Sequence, residues 1–152
     1  MGQAFFTKGE WLKMTLAAIL LMMRLLAGRD DVHDARAIAG EILQQAGSLH
    51  EAAVLVDTAW RESAFRASVV SRDGRDLCAY QLRDAPRIVL SDLVECTERA
   101  IAKLRSSAEA CPEAPLAAYA TGTCSDPRGR RLSGWRMREV ARIERAAADS
   151  GL

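Results

Sequence analysis

The chain has 152 residues, 49% apolar and 27% charged, with 21 Lys and Arg against 20 Asp and Glu for a net charge of +1. That length suits one domain with a packed core, and the composition excludes both a disordered chain and a collagen-like or low-complexity one. Near-neutral charge also argues against a protein whose main task is coating nucleic acid, because that task relies on cationic excess.

Ala and Leu dominate and aromatic residues make up only 5%, a bias toward helices, so the expected fold is mainly α. The first element is an apolar run, Met14 to Met23, preceded by Lys8 and Lys13 and followed by Arg24. It is shorter than the roughly 20 residues of a membrane span. As a signal-peptide core it has an ill-placed Arg24 and a poor cleavage site at Leu26-Ala27-Gly28, so a retained apolar helix is the favoured reading over export or membrane association through residues 14–26. This divides the chain into an N-terminal apolar segment, 1–29, and a main domain, 30–152.

Asp30 and Asp31 supply cap oxygens for a helix carrying Ala35, Ile38, Ala39, Ile42, Leu43 and Ala46 at helical spacing, ended by Gly47. Ser48 with Glu51 three residues on forms a capping box that opens a second helix through Trp60. Residues 63–84 read as an irregular loop with at most a small β-ribbon. Pro86 is expected to start a long helix with Val89, Leu93, Cys96, Ala100, Leu104 and Ala108 on one stripe, broken at Cys111-Pro112. Pro115 opens a short helix through Tyr119 to Gly122, and a last helix is expected from about Ser133 toward Gly151.

Glu62 lies seven residues after Leu55 and three after Ala59, which puts it on the apolar side of the second helix and near its C-terminus. Desolvation and the negative end of the helix dipole both raise the pKa of a carboxyl placed there, as a general acid working near neutral pH requires. The competing reading is a surface glutamate paired with Arg66 four residues on.

The segments Glu62-Ser63-Ala64-Phe65, then Ser71 and Gly74, then Cys78-Ala79-Tyr80-Gln81-Leu82, and later Leu116-Ala117-Ala118-Tyr119-Ala120-Thr121-Gly122 are in the order of three family motifs. Across about residues 35–125 the chain resembles the soluble lytic transglycosylase group of the lysozyme superfamily. Two departures stand out: Cys78-Ala79-Tyr80 occupies the place of a Gly-Leu-Met, and Ala120 that of an Asn. The resemblance implies a lysozyme-like fold, α+β with minimal β, that cleaves the MurNAc-GlcNAc bond of peptidoglycan strands. It implies Glu62 as catalytic acid and then base, with Tyr119 hydrogen-bonding near it, Gln81 binding the glycan and Ser63 orienting Glu62 or the sugar. No metal or organic cofactor is implied, and the place of action is extracytoplasmic, at the wall or periplasm, by export or as part of a virion or secretion machine. A hydrolytic lysozyme needs a second carboxylate, for which Asp73, Asp76 and Asp84 are the loop candidates. The Ala120 departure also admits a catalytically silent wall-binding or structural subunit.

Cys78, Cys96, Cys111 and Cys124 lack the clustering of a zinc site; their even number suits two disulfides and an oxidising compartment, with four buried thiols as the alternative. Cys96 and Cys111 on one helix stand about 22 Å apart, too far to bond. A hairpin of that helix with the Tyr119 helix would set Cys96 opposite Cys124 and leave Cys78 with Cys111. Between Arg128 and Arg145 lie seven arginines, Trp135, and two glutamates. They read as a solvated helix face or as a basic rim for an anionic polymer; a nucleic-acid module is the alternative from another class, though it leaves Glu62, Gln81 and Tyr119 unexplained.

Overall fold

The computed structural model describes residues 14–28 and 34–152; the expected caps Asp30 and Asp31, like Lys8 and Lys13, lie outside them. Thr15 opens α1 (Leu16–Ala27), its hydroxyl accepting the Ala18 N–H at 3.1 Å. Ala18, Ile19, Met22 and Met23 are buried, and α1 packs against α2 (Ala35–Gln45), α3 (Leu49–Ser63) and α6 (Pro127–Asp149) within one core. No described helix is long and apolar enough to cross a membrane.

The Ser48 box forms largely as read: Ser48 Oγ accepts the Glu51 N–H at 3.0 Å, and Glu51 reaches back to the Gly47 N–H at 2.7 Å. Arg105 clamps the same carboxylate with two bonds of 2.7 and 2.9 Å, tying the start of α3 to α4 (Leu93–Ala110). After α3 the chain makes a two-stranded antiparallel ribbon, β1 (Asp76–Leu77) with β2 (Leu82–Arg83), plus an isolated bridge from Val70 to Leu77. The molecule is thus mainly helical with a minimal sheet.

Three helix starts differ from the sequence expectation, the first being α2, where Asp34 holds the N-cap position in place of Asp30 or Asp31. Pro86 leads only into a 3₁₀ turn (Arg87–Leu90), and α4 begins afresh because Asp92 caps it, accepting the Glu95 N–H at 3.0 Å. The last helix starts at Pro127, not near Ser133: Asp126 accepts the Arg128 N–H at 2.7 Å and Pro127 sits in the first turn, where its missing N–H costs nothing. The Ser133 hydroxyl is buried and instead accepts the Leu116 N–H at 3.0 Å, beside α5 (Ala117–Thr121).

The disulfide pairing also differs. Cys78 bonds Cys96, and Cys111 bonds Cys124. The hairpin expectation fails because α5 has five residues and advances only about 8 Å. By residue 124 the chain is still at the C-terminal end of α4, beside Cys111, while Cys96 in the first turns of α4 faces the ribbon that carries Cys78. Both bonds suit an oxidising compartment.

Candidate active site

Glu62 lies in the last turn of α3, its side chain 29% exposed, with Leu55 and Ala59 of the same stripe fully buried. Arg66 does not pair with it; that guanidinium turns to the Ser63 carbonyl at 3.0 Å. The cation facing Glu62 is Arg136 from α6, with Nη1 3.7 Å from Oε1.

Arg136 is 1% exposed, and its other atoms are committed: Nε donates to Asp57 Oδ2 at 2.7 Å and Nη2 to Thr58 Oγ1 at 2.8 Å. Asp57, fully buried, takes a second cation in Arg61 at 3.5 Å. Removing one member of such a buried pair leaves the other charge uncompensated, a loss of about 3–5 kcal/mol. Because Asp57 holds the guanidinium, its attraction for Glu62 is partly cancelled. Burial then wins, and the Glu62 carboxyl is pushed above the usual carboxylate range, opposed by Arg136 and Lys103 and assisted by Asp76 and Asp57.

Tyr119 stands within the field of Glu62. Burial first, and the Glu62 carboxylate second, push its phenol upward, so it stays a neutral donor. Its hydroxyl donates to the Tyr80 carbonyl at 2.5 Å, which ties α5 to the ribbon, and Lys103 Nζ sits 4.7 Å from its ring centre. The structure therefore gathers Glu62, Tyr119, Arg136, Lys103 and Asp76 around one locus.

Ser63 and Gln81 serve the backbone around it. Ser63 is buried; its hydroxyl donates to the Ala59 carbonyl at 2.9 Å and accepts the Arg66 N–H at 3.1 Å, which fixes the helix end that carries Glu62. Gln81 Nε2 donates to the Cys78 carbonyl at 3.0 Å and the Val69 carbonyl at 3.3 Å, while its amide oxygen makes no hydrogen bond among the described residues. The loop carboxylates are held by arginines: Asp84 by Arg75 at 2.7 Å, Asp73 by Arg83 at 3.1 Å, and Asp76 by Arg83 at 3.3 Å.

All five described non-glycine residues with positive φ fall in the segment between α3 and the 3₁₀ turn: Ala64 and Phe65 directly after Glu62, and Cys78, Gln81 and Asp84 around the ribbon. Left-handed backbone costs about 1–2 kcal/mol per residue, and persists only where surrounding packing enforces it. Here Phe65 is fully buried with its ring tilted against Trp60 at 5.3 Å between centres, and Cys78 is fixed by its disulfide.

Comparison with protein-family models, curated proteins and solved structures finds no match for this chain. Arg136, Asp57 and Lys103 escaped the sequence reading. A signal for Arg136 was present, because Gly129, Ser133, Arg136, Val140, Ile143 and Ala147 follow alternating four- and three-residue steps and all are buried.

Proposed function

We propose that the chain is a lysozyme-like peptidoglycan lytic transglycosylase that acts on the extracytoplasmic wall, its catalytic residues within 30–152 and α1 packed into the same core. The observation that carries this reading is the Glu62 carboxyl: raised by burial although an arginine stands 3.7 Å away, and partly open to solvent at the end of its helix. The strained loop that follows it, the neighbouring Tyr119, and the motif order of the sequence support the same reading.

Neutral Glu62 donates its proton to the glycosidic oxygen between MurNAc and GlcNAc. The C1–O bond breaks and the MurNAc ring gains oxocarbenium character. The 6-hydroxyl of the same sugar then attacks C1 and gives its proton to the ionised Glu62, which restores the acid and leaves a 1,6-anhydro end. No water is consumed. Arg136, held by Asp57, stabilises the carboxylate during the ionised interval, and Tyr119 keeps the ribbon packed against it.

Digestion of purified peptidoglycan followed by mass analysis tests the reading. Anhydro ends are expected, with activity falling as pH rises through the raised Glu62 pKa, because the acid form is then lost. Glu62→Gln is expected to lower the rate by at least about 100-fold. A folded Glu62→Gln protein with full activity refutes the assignment. Products with only reducing ends indicate hydrolysis, with Asp76, the loop carboxylate whose charge is felt at Glu62, as the base to examine.

A further inference from the structure

The Arg128–Arg145 segment resolves into two stripes on α6. One is the buried stripe that carries Arg136. The other comprises Arg128, Arg131, Trp135, Arg138, Arg142 and Arg145, again at alternating three- and four-residue steps, all exposed and spanning about 25 Å of helix. Arg142 pairs with Glu139 at 3.1 Å; the other four arginines make no ion pair among the described residues. Trp135, at the middle, has Arg61 Cζ 4.2 Å from its ring centre on one face and remains 41% exposed.

The stripe and the candidate acid are joined reciprocally. Arg136, next to Trp135 in the chain, reaches Glu62; Arg61, next to Glu62, holds Trp135. Arg61 thus ties Trp135, at the middle of the stripe, to the end of α3 that carries Glu62. The chemistry of a polymer lying along the stripe is constrained by the same surface: the arginines call for anionic groups, and a single held indole calls for one apolar sugar face. A net charge of only +1 disfavours a dense phosphate backbone, which calls for a clear cationic excess.

Resting on the transglycosylase reading, we infer that this face of α6 is a strand-guiding site for carboxylate-bearing wall glycan, Trp135 stacking on a sugar ring while Arg131 and Arg138 engage stem-peptide carboxylates. The test measures sedimentation binding to purified peptidoglycan in a Glu62→Gln background, so that bound wall stays intact. Arg131→Gln with Arg138→Gln is expected to weaken binding about fivefold, more at low salt. That loss should vanish on peptidoglycan whose carboxylates have been converted to amides. Trp135→Ala is expected to weaken binding about fivefold or more to both forms. Arg72→Gln with Arg87→Gln, an equal charge change on exposed residues outside α6, should change it less than twofold.

Equal effects of the two arginine pairs, or duplex DNA displacing the wall from the stripe, overturn the inference. Its fate is separable from that of the reaction. Loss of wall binding without anhydro products sinks the chemistry alone, and anhydro products with unaltered binding sink the strand-guiding site alone.

Discussion

A carboxyl group 3.7 Å from an arginine ordinarily ionises more readily, yet Glu62 does the opposite, because Asp57 takes the same guanidinium at 2.7 Å and burial acts on the carboxyl unopposed by a full cationic charge. This makes Glu62 a destabilising residue above its unfolded-state pKa. Below about 4.5 both folded and unfolded chains are protonated there; as pH rises past that value the unfolded chain ionises first, and folded-state stability falls until the raised pKa is passed. Glu62→Gln cannot ionise, so its denaturant midpoint should exceed that of the wild type at about pH 8 and approach it at about pH 4. A constant difference across that range refutes the burial argument. The helical position of Glu62 was legible from its spacing after Leu55 and Ala59. The neutralising device was not, since Asp57 and Arg136 are 79 residues apart and nothing local to either announces the other.

Helix starts show where local signals compete. Ser48 with Glu51 was read correctly because cap and glutamate agree. Pro86 and Ser133 misled because each is followed by a stronger or preceded by an earlier cap, Asp92 in one case and Asp126-Pro127 in the other. The early start of α6 places Gly129 against α5. A Cβ there would stand 2.7 Å from Thr121 Oγ1 and 3.2 Å from the Ala117 carbonyl, whereas at Gly134 the nearest group is the flexible Arg138 guanidinium at 3.9 Å. Both substitutions to Ala raise intrinsic helix propensity by about 1 kcal/mol. Thermal unfolding should therefore show Gly134→Ala stabilised by roughly 0.5–1 kcal/mol and Gly129→Ala destabilised. Stabilisation of both would mean that α5 and α6 are not in close contact.

At the level of the whole molecule, α1 and α4 settle different questions. Ile19 and Met22 of α1 are fully buried in the same cluster as Leu55, Val140 and Ile143, so the apolar run that the sequence suggests is a retained helix, set apart from the main domain at residue 29, contributes to the core. Met22→Ala is expected to cost about 2–5 kcal/mol, measured by denaturant unfolding; a loss under about 0.5 kcal/mol would show α1 to be peripheral. Helix α4 carries one disulfide in its first turns and the other at its C-terminal cap, a division that the cysteine spacing alone does not fix because it depends on where the ribbon and the chain after α5 meet α4. The two stripes of α6 keep a fixed angular offset because they share one period. A single inserted or deleted residue between Arg136 and Val140 would turn everything beyond it by about 100°, withdrawing Val140, Ile143 and Ala147 from the core and rotating Arg142 and Arg145 out of line with Trp135. Natural variants of this chain should therefore gain or lose length in the loops around 66–75 and 122–126, and vary α6 freely only beyond its last buried residue, Ala147.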